Sequence, residues 1–323
     1  MVAYSWITSP TVADVGEQGV LDRILPLLPV GEGVILGPGD DAAVIDWPHG
    51  TLVTTCDLMI EGPDFRRNWS TGFDVGWKAM ASNLADVAAM GATPRGVIIG
   101  VAVPDDLGVS AVADIARGVA EGLAQMAPGC GVWGGDLSES GQVMISVTVI
   151  GDLEGRSAIT RQGASVGDVV AVGGVLGQSS RGLSILVDAG EDVDAISALM
   201  DSPDVIAHLR PTPPLHLGVE AARSGATAMM DISDGLLLDA TRMARASGVA
   251  IDLHSTALVD DHALSGGEDH SLLACFPAPA ELPAGFSIIG DVVEPGETAG
   301  KVTVDGEAPT VSGGWDPYRR GDK

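Results

Sequence analysis

The sequence predicts an α/β (α+β) protein of two domains, and three observations carry that reading. Short apolar runs rich in β-branched residues alternate with longer stretches whose apolar residues recur at helical spacing. The chain has 323 residues, about two domains at roughly 150 residues each. Hydrophobic residues make up 46% of it and aromatics only 4%, so Ala, Val, Leu and Ile must fill the core.

Strands are expected at Leu52–Cys56, Gly96–Val103, Val143–Gly151, Val169–Val172, Thr227–Met230 and Ser287–Val292. Most are β-branched and bounded by Gly, Pro or Asp. A first helix is expected from Asp74, in the N-cap role, to a stop at Gly91. Its apolar face is Trp77, Met80, Leu84 and Val87. A second runs from about Ser110 to Met126, turning Val112, Ile115, Val119 and Leu123 inward. A third begins near Ser233–Asp234 and ends at Gly248, with Leu237, Ala240 and Met243 inward. The domain boundary is placed at the polar turn Gly151–Gly155, giving domains 1–151 and 152–323. Residues 1–10 and 317–323 are expected to be loose ends.

Charge narrows the function. Against 44 Asp+Glu stand 17 Lys+Arg, a net −27, and the only lysines are Lys78, Lys301 and Lys323. Nucleic-acid binding, which rests on neutralising phosphates, is excluded in practice, and so is an anionic membrane surface. MVAYSWITSP lacks the basic and apolar regions of a signal peptide, and no run approaches the ~18 apolar residues of a membrane span. Three cysteines without CxxC spacing argue against a disulfide framework or zinc knuckle. The expectation is a soluble, cytoplasmic protein.

The informative acids are those beside glycines or at the ends of apolar strands. They fall in Gly37-Pro-Gly-Asp40-Asp41, Thr54-Thr-Cys-Asp57, Asn83-Leu-Ala-Asp86, Gly134-Gly-Asp136, Asp231-Ile-Ser-Asp234-Gly and Leu264-Ser-Gly-Gly-Glu268-Asp269. Two carboxylates ~5 Å apart repel by about 3 kcal/mol at an effective dielectric near 20. A convergent set therefore calls for cations, and hard oxygen donors favour Mg²⁺ or Ca²⁺. Mg²⁺ commonly completes its shell with substrate phosphates, so the pattern points to a metal–phosphate site. Plainer readings stand beside it: Asp74 and Asp234 as helix caps, Asp86 as a surface charge, Asp41 as a turn residue. Other phosphate and metal motifs fail: there is no GxxxxGK[ST] or HExxH, and Gly37-Pro-Gly-Asp-Asp-Ala42 carries the wrong charge for a dinucleotide.

Eight segments, in order from Gly37 to Trp315, resemble the thiamine-monophosphate kinase family, within the superfamily that includes aminoimidazole-ribotide synthetase. They are GPGDDAAVI, TTCDLMIEGPDF, WKAMASNLADVAAMGATP, GGD, ITRQGASVGD, RPTPP, MDISDGLLLDA and LSGGEDHSLL. The resemblance implies a two-domain aminoimidazole-ribotide synthetase-like fold. Its N-terminal domain binds metal and nucleotide and pairs its sheet with that of a second subunit in a homodimer; the C-terminal α/β domain completes the active site. It implies Mg²⁺-dependent transfer of phosphate from ATP to thiamine monophosphate, in line and without a covalent intermediate. Asp40, Thr55, Cys56, Asp57, Asp86, Asp136, Asp231 and Asp234 match metal-binding positions, Cys56 through its backbone. Gly135, Asp136, Arg161 and Ser233 match nucleotide contacts, and Asp57, Asp231, Asp234 and Arg161 are expected to carry catalysis. Glu268 and Trp315 match residues near the thiamine moiety. Asp64 stands where the family often has His and would turn a carboxylate to the cationic thiazolium; Asp269-His270 replaces a commoner Asp-Tyr.

Two alternatives remain at this stage. One is another ATP-dependent enzyme of the superfamily, of selenophosphate synthetase, ribotide synthetase or hydrogenase-maturation type. Residues 1–36 lack the reactive Cys of the first, and the tail Tyr318–Lys323 lacks the Cys of the last. The other is a non-catalytic Mg²⁺–nucleotide-binding relative that uses the same acids.

Overall fold

The computed structural model describes residues 6, 10–36, 44–45, 47, 50–278, 281–296, 300–311 and 314–315. The first half runs α1 (Val12–Ile24), β1 (Val34–Leu36), β2 (Val44–Ile45), β3 (Leu52–Ile60), α2 (Gly72–Ala89), β4 (Thr93–Val103), α3 (Val109–Met126), β5 (Gly131–Glu139) and β6 (Met144–Asp152). β1 and β2 form a small antiparallel pair. The other four strands make a sheet in the order β3-β6-β4-β5. It is antiparallel except for β4 and β5, which run parallel because α3 carries the chain back between them. Helices α2 and α3 cover one face with Met80, Leu84, Val112, Ile115, Val119 and Leu123.

The second half follows as β7 (Asp168–Gly173), α4 (Gln178–Ala189), α5 (Val193–Leu199), α6 (Pro203–Leu209), α7 (His216–Arg223), β8 (Ala228–Ile232), α8 (Leu236–Ser247), β9 (Ala250–Leu253), α9 (Asp261–Ser265), β10 (Ser271–Pro277), β11 (Phe286–Val293) and β12 (Val302–Val304). Its six-stranded sheet has the order β12-β9-β11-β7-β10-β8. Only β12 and β9 run parallel. The chain passes from one sheet to the other between β6 and β7.

α2 belongs to both halves. Its end, Ala89, packs with Ile159, Leu217, Met229, Phe276 and Phe286 of the second half. Trp77 Nε1 donates to the Pro211 carbonyl at 2.7 Å. α2 is therefore buried along almost its whole length between the two halves, with only Phe73, Ser82 and Asp86 half-buried.

Local chemistry moved several expected boundaries. α2 starts at Gly72 because Thr71, not Asp74, is the N-cap. Thr71 Oγ1 accepts from Asp74 N at 3.2 Å and Asp74 Oδ2 accepts from Thr71 N at 2.8 Å, a reciprocal capping box. α8 is preceded by Gly235 with no side-chain cap, so Asp234 is not a helix cap. β3 runs on through Asp57 to Ile60: it is an edge strand with one open face, and a polar residue there does not end it. Gly134-Gly135-Asp136 lies inside β5 rather than in a turn. The cysteines are free, with Cys56 exposed and Cys130 and Cys275 buried. Burial pushes both interior thiols up to about 12.

Candidate active site

Alternation along β3 sorts its residues. Thr55 and Asp57 point toward α2, while Thr54, Cys56 and Leu58 point to the uncovered face. Thr55 Oγ1 donates to Asp86 Oδ2 at 2.8 Å, and Asp57 N donates to Asn83 Oδ1 at 3.1 Å. Asn83 and Asp86, three residues apart on α2, share one flank of the helix. Across the seam, Asp231 ends β8 with 7% of its surface exposed. His270 Nδ1 lies 3.2 Å from Asp231 Oδ2 and, with a carboxylate opposite, is the donor.

These acids feel one another. Burial, then the charges of Asp231 and Asp57, push the Asp86 carboxyl up to about 7. Asp57 opens to solvent, yet the surrounding protein and then Asp231 also push it upward. His270 is raised in spite of its burial by its hydrogen bond to Asp231. Among the described residues no three His, Cys, Asp or Glu side chains are gathered tightly enough to form a metal shell as they stand. The donor set still suits a hard divalent cation: oxygen ligands with unrelieved mutual repulsion, faced by one imidazole. Asp40 and its Gly37–Ala43 loop lie outside the described residues.

Two interlocked loops carry the second half's contribution. Glu268 N donates to the Ser233 carbonyl at 2.9 Å. A Cβ on Gly267 would fall 2.1 Å from that same oxygen, so only glycine permits the approach. Asp239, fully buried, accepts from Asp234 N at 3.0 Å and Gly235 N at 3.1 Å. Arg242 Nη1 then bridges Asp234 Oδ2 and Asp239 Oδ1, each at 2.6 Å. Burial and then Asp231 raise Asp239 to about 6 against the pull of Arg242. Asp269 Oδ1 accepts from Ser179 N at 2.7 Å at the start of α4. Its neighbours Glu268 and His270 both adopt positive φ, 70° and 53°, and diverge to opposite partners. Trp315 N donates to the Asp234 carbonyl at 2.9 Å, with 55% of the residue exposed.

Glu268 reaches Lys78 of α2, Oε2 to Nζ 2.6 Å. Burial works against its charge, but Lys78 and His270 hold its carboxyl down to about 2. Lys78 also donates to the Asp64 carbonyl at 3.2 Å. Asp64 spends its own Oδ2 on Ile60 N at 2.7 Å, closing the turn after β3; burial raises its carboxyl in spite of that bond.

Within the chain, then, Thr55, Asp57, Asp86, Asp231, Asp234, Ser233, Glu268, Asp64 and Trp315 surround one seam. Gly135, Asp136, Cys56 and Arg161 stand apart from it. Register carries Cys56 to Thr148, Ile98 and Gly134 across the sheet, so Asp136 shares the uncovered face with Cys56. Asp136 Oδ2 accepts from Ser138 Oγ at 2.7 Å. At Gly135, paired with Ile99, a Cβ would fall 2.2 Å from the Ile99 carbonyl, which explains the glycine structurally. Arg161 is exposed beside β8, its carbonyl accepting from Ser247 Oγ at 3.1 Å. The open cleft lined by Arg156, Thr160, Gln162 and Thr227 flanks the start of β8 and includes none of the seam acids. Sequence reasoning gave no role to Lys78, Asn83, Asp239 or Arg242. Lys78 had a visible signal: the one basic residue of a mostly apolar helix.

Residues 39–153 match the family described as AIR synthase related protein, N-terminal domain. The thiamine-monophosphate kinase of Mycobacterium tuberculosis is 39% identical over 331 residues, covering 97% of this chain and 95% of that protein. The chain belongs to the thiamine-monophosphate kinase family. A member from Corynebacterium glutamicum is 34% identical over 95% of this chain and 94% of its own. Among solved structures, the family member from Stenotrophomonas maltophilia superposes with TM-score 0.74 at 30% identity, over 90% of this chain and 96% of that one. AaThiL complexed with AMPPCP and TMP gives TM-score 0.73 at 33% identity, over 94% and 97%. The hydrogenase maturation protein HypE in complex with ATP, at 19% identity and TM-score 0.63 over 82% and 84%, shares the fold.

Proposed function

We propose that this protein transfers the terminal phosphoryl group of ATP to thiamine monophosphate, forming ADP and thiamine diphosphate with Mg²⁺ in the cytoplasm. The carrying observation is the family likeness over nearly the whole chain, joined to a relative of matching length solved with AMPPCP and TMP. The seam acids support it chemically, because phosphoryl transfer needs alignment and charge neutralisation more than covalent help.

Asp57, Asp86 and Asp231 would hold the cation, with Asp40, Thr55, Cys56, Asp136 and Asp234 completing the set. Bound there, Mg²⁺ would neutralise charge on the phosphates. The acceptor is a phosphate monoester whose second pKa is about 6, so it is already an anion near neutrality and no residue need remove a proton. That fits a seam in which the imidazole beside the acids, His270, is committed to Asp231. In this reading Gly135, Asp136, Ser233 and Arg161 contact the nucleotide, Arg161 adding a permanent positive charge. Glu268, Asp64 and Trp315 lie toward the thiamine moiety, where a carboxylate and an indole both suit a cationic ring.

The reading includes a division into domains 1–151 and 152–323 and a homodimer. Support for the dimer is the uncovered sheet face, where Leu52, Leu58 and Ile98 are 45%, 50% and 44% exposed. Three strand spacings of about 4.8 Å separate β3 from β5. Asp136 therefore stands well apart from Asp57 within one chain, and in this reading it acts at the face where the two copies meet. Among the described residues no helix is long and apolar enough to cross a membrane.

The test is ³¹P NMR of the purified protein with ATP, Mg²⁺ and thiamine monophosphate, with and without EDTA. A diphosphate product that EDTA abolishes is expected. Binding of Mg²⁺–ATP without that product would overturn the reading.

A further inference from the structure

Lys78 is 4% exposed, and a buried ammonium persists only when paired and hydrogen-bonded. Its two partners come from different halves of the molecule: the Asp64 carbonyl at 3.2 Å and Glu268 Oε2 at 2.6 Å. Both are rigidly held. The Asp64 turn is closed by its own carboxylate on Ile60 N. The Glu268 loop is pinned on one side by Asp269 at the start of α4 and on the other by Ser233. Lys78 thus links the two residues assigned to the acceptor across the seam, by a hydrogen bond to the Asp64 carbonyl and an ion pair with Glu268.

The Glu268 side chain keeps 41% of its surface exposed while its carboxylate is ion-paired with Lys78. An anion held this way, open on one side and backed by a buried ammonium, suits a ligand that carries its own positive charge. We propose that Lys78 is a positioning residue for the acceptor: it aims Glu268 at the cationic thiazolium and sets the gap between Glu268 and Asp64. This rests on thiamine monophosphate being the acceptor.

The test compares wild type with K78M, K78R, E268Q and the double variant K78M/E268Q, measuring kcat, both KM values and melting temperature. K78M is expected to raise KM for thiamine monophosphate about tenfold, as loss of one charged hydrogen bond would, and to leave KM for ATP within about twofold. E268Q should behave alike, the double variant should be no worse than the poorer single, and K78R should recover most of the loss. If K78M does not fold, E268Q and K78R carry the same comparison. A lowered melting temperature with both KM values unchanged, or equal rises in both, overturns the positioning role. A wild type that makes no thiamine diphosphate overturns the functional reading, and this inference with it.

Discussion

Thr55 Oγ1 donates to Asp86 Oδ2 at 2.8 Å, tying an edge strand to the helix that packs behind it. The bond fixes a carboxyl whose burial, together with Asp231 and Asp57, lifts it to about 7. A folded-state value above the unfolded one adds stability that is fully present below the ordinary carboxylate range and lost as pH rises through about 7. In EDTA, Asp86→Asn should therefore raise the melting temperature by a few degrees, with a gain that grows from pH 5 to pH 8. Calorimetric scans at the two pH values check this. A gain independent of pH would mean that the raised carboxyl is not Asp86.

Asp57→Asn and Asp231→Asn each remove one like charge from the seam without changing its shape. Turnover should fall at least about 100-fold, the scale of losing a group that neutralises transition-state charge. For Asp57→Asn the melting temperature should hold or rise, since the repulsion that lifts Asp86 is relieved, whereas for Asp231→Asn the loss of the charge partner of buried His270 offsets that relief. Steady-state kinetics beside thermal melts separate the two effects. Full activity in either variant would remove that residue from the catalytic set.

Much of this was legible in the sequence, for physical reasons that differ by element. The helix ending at Met126 matched its apolar stripe because α3 buries one face along its length. The acids Asp57, Asp86, Asp231 and Asp234 were conspicuous because charge beside strand-forming apolar residues is costly without a purpose. What stayed hidden depended on tertiary partners. Asp136 and Asp57 read as equivalent strand-end acids, yet sheet order puts them on different strands and opposite faces. Asp64 looked like a ligand to the thiazolium, whereas its carboxylate also closes a local turn. Lys78 and Asp239 gain meaning only once α2 meets the 266–270 loop and α8 meets the 231–235 loop.

His208, on α6, carries a separate pH signature. Its ring is buried and Nδ1 lies 3.1 Å from Ser179 Oγ. Burial, then the nearby Lys78 charge, depress it to about 3. Between that value and the ordinary histidine range the unfolded chain binds the extra proton, so this contribution is full above about 6.5 and fades as pH falls toward 3. His208→Gln, which keeps an acceptor for Ser179, should flatten the stability-versus-pH slope between pH 4 and 6.5 relative to the parent. Denaturant titrations across that range measure it. An unchanged slope would show that the acid sensitivity arises at other groups.

Leu58 offers the sharpest test of assembly. It is 50% exposed in the middle of β3, on the face it shares with Cys56, Ile98 and Asp136. A charge there changes little in an isolated chain, since surface substitutions usually stay within about 0.5 kcal/mol. In a dimer closed through this face the same charge is buried and repelled by its own symmetry mate. Leu58→Glu should therefore convert a dimer to a monomer in sedimentation velocity while the far-ultraviolet circular dichroism is unchanged. Turnover should collapse with the dimer, because in this reading the face that carries Asp136 works only when two copies meet there. A parent that is monomeric and active, or a variant that stays dimeric and active, would remove Asp136 from the metal site and leave the exposed sheet face without a role in catalysis.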